Sequence, residues 1–157
     1  MGAAAASMSA AYTQRKKDVE SGAATKAQQL VAHLDIEKLL QAADDDASAY
    51  ADLQRTWKEA NMPADEKAAI EARALAVPTN LVELCHSYIL AIQTFLPDCN
   101  PNITSDAKVG IHELAGAARA AYQTVLVNSP PNPEKERLRT LLKEIRKIED
   151  DLLDMNE

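Results

Sequence analysis

Apolar residues recur three or four positions apart along most of this chain, and no segment of comparable quality alternates as a strand requires. The clearest example is a C-terminal stripe with charged residues between its members: Leu138, Leu141, Leu142, Ile145, Ile148, Leu152 and Met155. Aromatic residues make up only 4% of the sequence, and Ala and Leu dominate the apolar share, which favours closely packed helices. The sequence therefore predicts an all-α protein, a bundle of about five to six helices forming one domain over 1–157.

Turn-forming residues divide this pattern into segments. Helices are expected over about 3–19, 23–34 and 35–60, from 64 to the loop near 100, from that loop to 128, and from 134 onward. Asp35 is placed to cap the third of these helices. Because proline lacks an amide hydrogen and clashes with the carbonyl four residues earlier, Pro78 predicts a kink or a new helix start.

Charge, the length of apolar runs and cysteine content limit the partners and the cellular compartment that this chain suits. The formal charge is −7 and the basic residues are scattered, so no nucleic-acid partner is expected. Uninterrupted apolar runs fall short of the about 20 residues that span a bilayer, so no membrane partner is expected. Cys85 and Cys99 lie in or beside apolar helical sequence, which is typical of buried thiols in a cytoplasmic protein.

A polar, turn-forming run leads directly into a helix of small residues. Asn100 to Asn102 disfavour continuation of the preceding helix, and Thr104, Ser105 and Asp106 each offer a side-chain oxygen to the free amide groups of the next helix. The inner positions of that helix are mostly Ala, Gly and Val. Either a neighbouring backbone or a flat ligand could lie against it, so the run is a candidate site.

Three further motifs precede this run, which spans 100–128. In order they are Arg15-Lys16-Lys17, Asp44-Asp45-Asp46 ahead of Ala49-Tyr50, and Val77-Pro78. Their order and spacing from Met8 to Asn128 resemble the formiminotransferase-cyclodeaminase family, in particular its cyclodeaminase domain and the related methenyltetrahydrofolate cyclohydrolases. Members of that family carry a glycine-rich loop ahead of the first helix. Here Gly2 is the only glycine before Gly22, so that loop is expected to be missing.

The resemblance implies a role in tetrahydrofolate one-carbon metabolism, as a 5-formiminotetrahydrofolate cyclodeaminase or a 5,10-methenyltetrahydrofolate cyclohydrolase. It implies a homodimer, a tetrahydrofolate derivative as substrate, no metal and no covalently bound cofactor. The alternative, favoured by the missing loop, is a catalytically inactive or truncated helical dimerisation or adaptor module of the same fold.

The site residues that the resemblance implies are Asp46 and Asp106 as catalytic groups and Lys16, Lys17, Asn102 and Ser105 as substrate-binding groups. Asp46 would move protons, and Asp106 would bind the pterin or stabilise a cationic intermediate. The lysines would hold the anionic glutamyl tail or help the proton transfer.

Each assignment has a plain structural alternative. An acidic run within a helix is commonly a solvated face, Asp106 starts a helix, and lysines near a helix terminus offset its dipole. Asn102 is a common turn former. For Arg73 and Arg119 the default expectation is a surface salt bridge, and for His112 a packed or surface position.

Overall fold

The computed structural model describes residues 1–154, so Met155 of the apolar stripe lies outside the described residues. These residues contain no strand, and the helices are α1 (Gly2–Ala11), α2 (Lys16–Glu20), α3 (Ala23–His33), α4 (Ile36–Lys58), α5 (Ala64–Phe95), α6 (Thr104–Val127) and α7 (Asn132–Asp154). A short 3-10 turn, Leu96–Asp98, follows α5. Apart from the five-residue α2, the described helices have ten residues or more, so the predicted all-α bundle is confirmed.

The two helices α5 and α6 form the centre of the bundle. α5 contacts α3, α4, α6 and α7, and α6 also contacts α1 and α7. The main core gathers buried residues from five helices, among them Ile89, Ile92, Ile111, Leu114 and Ile145. A smaller cluster around Val82, Tyr122 and Leu138 extends it. The helical periodicity therefore identified the buried faces of α5 and α7.

Helix α1 packs against α6 at backbone distance. A Cβ atom added to Gly110 would lie 2.7 Å from the carbonyl oxygen of Gly2 and 3.0 Å from the Cβ of Ala6. Such distances are shorter than side chains tolerate, so glycine is required at this crossing for steric reasons. The small residues at the start of α6 thus serve the close approach of a neighbouring backbone.

The single helix predicted over 3–19 is wrong, because the chain forms α1, a turn and then α2. Asn100, far away in sequence, holds the turn: its backbone amide donates to Thr13 Oγ1 at 3.0 Å, and its Nδ2 donates to the Tyr12 carbonyl at 3.0 Å. At the start of α2, the carboxylate of Asp18 accepts hydrogen bonds from the backbone amide and the guanidinium of Arg15. Tertiary hydrogen bonds therefore override the local helical tendency.

Of the two outcomes expected at Pro78, a kink or a new helix start, the new start is wrong, since α5 is continuous from Ala64 to Phe95. Proline leaves the carbonyl of Ala74 without its helical donor. Asn128 Nδ2 donates to that oxygen at 3.0 Å. A side chain from the end of α6 therefore satisfies the group that would otherwise break the helix.

The segment Ala64–Asp98 is long and apolar enough to cross a membrane by length and composition, which the sequence analysis did not anticipate. In the structure it is the central helix of the bundle and contacts four other long helices. Its residues Val82, Ile89 and Ile92 are fully buried against protein. Burial in the core accounts for these positions, and 39% of the most apolar window of the segment is buried.

Helix α4 lies at the margin of the bundle. Among its residues, all of which the structure describes, Ala49 alone is buried. The cap expected from Asp35 is confirmed, because its Oδ1 accepts from the amide of Lys38 at 3.1 Å. The apolar pattern of α4 does not correspond to a fully buried face, since Leu40, Tyr50 and Trp57 are exposed.

Candidate functional site

The three consecutive aspartates of α4 lie in different surroundings. Asp45 lies 3.9 Å from the guanidinium of Arg73 and accepts a hydrogen bond from Gln41 at 3.2 Å. Within residues 1–154, the carboxylate of Asp46 makes neither an ion pair nor a hydrogen bond. Asp46 therefore has its full hydrogen-bonding capacity available to a ligand.

Asp46 borders two apolar cavities formed between α4, α5 and α6. The first has a volume of about 310 Å³, and its walls include Pro78 and Leu81 of α5 and Ala117, Ala120 and Ala121 of α6. The second has a volume of about 220 Å³. Both cavities share Asp46 and Thr124, so the carboxylate lies where they adjoin.

The small residues of α6 therefore have two uses, one at each part of the helix. Near its start, Gly110 packs against α1. Further along, three alanines leave the space that becomes the first cavity beside Asp46. Packing and space for a ligand were equal alternatives from the sequence. Packing accounts for Gly110, and the later alanines border an open cavity.

The polar run before α6 is organised by Asn100. Its Oδ1 accepts from the amide of Asn102 at 3.1 Å, and its carbonyl oxygen accepts from Thr104 Oγ1 at 3.1 Å. The turn expected here is confirmed. The capping expected from Thr104, Ser105 and Asp106 is wrong, because Ile103 occupies the cap position and no side chain caps the helix there. Ser105 Oγ instead lies 3.4 Å from the carboxylate of Asp106.

Lys16 and Lys17 are exposed and begin α2 instead of ending the first helix. Lys16 Nζ lies 3.9 Å from Glu20, and the charge of Lys17 contributes to lowering the pKa of Asp18, after the larger effect of the hydrogen bond from Arg15. Through the bonds between Asn100 and residues 12–13, α2 lies at the same end of the bundle as the turn before α6.

The predicted site residues consequently fall into two groups. Lys16, Lys17, Asn102, Ser105 and Asp106 belong to the end where α6 begins. Asp46 lies beside a later part of α6, from Ala117 onward. At 1.5 Å per residue, the roughly 11 residues from Asp106 to Ala117 span about 16 Å. One chain therefore does not bring Asp46 and Asp106 to one cavity.

A larger cavity of about 890 Å³ lies between α6 and α7 and contains none of the predicted site residues. Its charged lining is largely paired internally. Arg119 forms an ion pair with Glu149, and His112 Nδ1 lies 3.1 Å from the same carboxylate. Arg73 likewise pairs with Asp52 at 3.0 Å. The salt-bridge roles expected for the two arginines are confirmed.

Three residues of the second cavity were missed by sequence reasoning: Trp57, Thr124 and Asn128. Trp57 lies about two helical turns after Tyr50, so helical spacing could have placed it on the same face of α4. No local signal identifies Thr124 or Asn128, because their place in the site depends on how α6 packs against α4 and α5.

The cysteines and other metal-binding side chains offer no competing centre. Within residues 1–154, no group of three or more His, Cys, Asp or Glu side chains could hold a metal ion. Cys85 and Cys99 are free and buried, as expected. Burial raises the pKa of the Cys85 thiol to about 11, which disfavours the reactive thiolate.

The described residues form an all-helical bundle in which an unpaired carboxylate borders two apolar cavities, an arrangement typical of small-molecule sites. The family model for formiminotransferase-cyclodeaminase matches residues 1–152, and the chain therefore belongs to that family. No curated protein matches the chain. Family membership agrees with a broad role in folate one-carbon metabolism.

Proposed function

We propose that this protein acts on a tetrahydrofolate carrying a one-carbon unit, as a 5-formiminotetrahydrofolate cyclodeaminase or a 5,10-methenyltetrahydrofolate cyclohydrolase. The observation that carries the proposal is the unpaired carboxylate of Asp46 at the junction of two apolar cavities. Family membership supports folate as the substrate class.

Asp46 would move protons in either reaction. In cyclisation, N10 bonds to the carbon of the protonated formimino group, and Asp46 transfers the N10 proton to the formimino nitrogen, which leaves as ammonia when its bond to that carbon breaks. In hydrolysis, Asp46 accepts a proton from the water that attacks the methenyl carbon and returns it to N5 as the bond from that carbon to N5 breaks. The formyl group stays on N10, and the second water proton is released to solvent. The carboxylate also stabilises the positive charge of the bridge, more strongly beside apolar walls than in bulk water.

The groups at the other end of the bundle would complete the substrate site. Asp106 would bind the pterin or stabilise the cation, with Asn102 and Ser105 beside it, and Lys16 and Lys17 would hold the anionic glutamyl tail. Since one chain keeps Asp46 and Asp106 apart, their joint participation requires a second copy. The proposal therefore includes a homodimer.

Exposed apolar side chains support this association. Leu40 is 65% exposed and Ile36 lies one turn earlier on the same helix, also exposed. Symmetric dimers are the commonest assembly of soluble proteins. Sedimentation at micromolar concentration should give about twice the 17.1 kDa of one chain, and a monomer alone would contradict the homodimer. We propose a cytoplasmic location, which suits the free, buried cysteines.

Turnover by matched variants tests the role of Asp46. Asp46→Asn should lower kcat with 5-formimino- or 5,10-methenyltetrahydrofolate by roughly 10²-fold while sparing binding of 5-formyltetrahydrofolate. Asp44→Asn is the control, because Asp44 is an exposed member of the same acidic run and lines neither cavity. If the wild-type protein neither binds nor converts these folates, the proposal fails and the helical dimerisation or adaptor module replaces it.

A further inference from the structure

Two aromatic side chains of α4 are exposed beside Asp46. Tyr50 is 55% exposed and Trp57 is 64% exposed. They lie about two helical turns apart and so share one face of the helix. Their ring centroids are 6.3 Å apart with the planes at 79°, an edge-to-face pair. Large aromatic rings left in water in this arrangement offer a surface for another ring.

Both rings line the second cavity, which is otherwise closed mainly by apolar groups. Leu53 comes from α4, Ala74 from α5 and Val127 from α6. The Nδ2 of Asn128, at the margin, already donates to the carbonyl oxygens of Ala74 and Thr124. This cavity therefore suits a flat, weakly polar group better than a pterin, which has many hydrogen-bonding atoms.

We propose that Tyr50 and Trp57 bind the p-aminobenzoyl ring of the folate and thereby determine specificity for substrates that carry it. This inference rests on the proposed function. Asp46 separates the second cavity from the first. A folate with its benzoyl ring against the aromatic pair directs N10, which is bonded to that ring, and N5 beyond it toward the Asp46 carboxylate.

The chain contains one tryptophan, so all tryptophan fluorescence reports on Trp57. The fragment p-aminobenzoylglutamate should quench this fluorescence. Trp57→Leu should raise the Kd for 5-formyltetrahydrofolate, measured by calorimetry, by roughly threefold to tenfold. The same variant should leave the Kd for 5-formyl-6-methyltetrahydropterin, which lacks the benzoyl ring, unchanged. Trp57→Phe should restore folate binding, because it retains an aromatic ring.

Tyr50→Leu should behave like Trp57→Leu, and Tyr12→Leu is its control, since Tyr12 is similarly exposed at 63% but lines neither cavity. If wild type binds 5-formyltetrahydrofolate and Trp57→Leu binds it equally well, the inference is overturned while the proposed function stands. Loss of subunit association with unchanged folate affinity also overturns it, because the aromatic pair then belongs to an interface between copies. If wild type binds no folate, both proposals fail.

Discussion

The side chain of Asn128 replaces the hydrogen bond that Pro78 removes from α5. Its Nδ2 lies 3.0 Å from the carbonyl oxygen of Ala74, the oxygen that residue 78 would bond in an uninterrupted helix, and 3.0 Å from that of Thr124. Ala74 and Asn128 both line the cavity beside Asp46. The same contact therefore keeps α5 continuous and holds the end of α6 at the candidate site.

Removing this contact should destabilise the protein in a way that depends on Pro78. Asn128→Ala should lower the free energy of unfolding by about 1–2 kcal/mol, because it leaves a partly buried carbonyl without a donor. In a Pro78→Ala background the loss should be smaller, since the new backbone amide can bond Ala74. Urea unfolding gives the free energy of unfolding of the wild type, the two single variants and the double variant. Asn80→Ala, an exposed change on the same helix, is the control, and equal losses in both backgrounds would contradict the assignment.

Two glycines of α6 should respond oppositely to the same substitution. Gly116→Ala should stabilise the protein by about 0.5–1 kcal/mol through helix propensity, because an added Cβ meets only a flexible Arg119 atom at 4.0 Å. Gly110→Ala adds the same propensity but places its Cβ 2.7 Å from the Gly2 carbonyl, and should destabilise by about 1–3 kcal/mol. Thermal unfolding measures the stability of both variants. Stabilisation by both changes would disprove the close packing of α1 against α6.

The cap of α2 should make stability fall in acid. Arg15 donates to both carboxylate oxygens of Asp18, at 2.8 and 2.7 Å, and these hydrogen bonds lower the pKa of Asp18. The pKa of an Asp in an unfolded chain is near 3.9. The stabilisation that the ionised Asp18 provides is therefore fully present above about pH 4, and it is lost as the pH falls through the lower pKa of Asp18 in the folded protein.

Asp18→Asn should accordingly be less stable than wild type at pH 7, and the difference should shrink below about pH 4. Thermal midpoints across pH 2–7 measure it. Glu20→Gln provides the comparison, because Glu20 lies 3.9 Å from an exposed Lys16 and its side chain is 66% exposed. A gap between Asp18→Asn and wild type that stays constant down to pH 2 would rule out this role.

A site shared between two copies should allow complementation. Asp46→Asn and Asp106→Asn should each be defective alone, the first in turnover and the second in folate binding. Subunits mixed after unfolding and refolding should recover up to about a quarter of wild-type activity at limiting folate, because half of the dimers are then mixed and each keeps one unaltered site. A mixture no more active than the mean of its components would exclude a shared site.

Local patterns were sufficient for much of the fold. The periodicity of Ile89, Ile92, Ile145 and Ile148 placed these residues in the core, where the structure has them buried. Such predictions succeed because burying one face of a helix depends on residues three and four positions apart. The acidic run was likewise recognisable, and the resemblance selected Asp46 within it, but the pairing of Asp45 with Arg73 of α5 was evident only in the structure.

By itself the sequence determined the helical class and the placement of most helices, because both depend on residues that are close in sequence. It also determined the family, because the family is recognised from short motifs in a fixed order. Only the tertiary structure decided that the chain turns at Tyr12 to meet Asn100, that α5 continues through Pro78, and that Asp46 lies between two cavities. The physical reason is that hydrogen bonds and packing between distant segments outweigh local preferences, and their partners cannot be read from either segment alone.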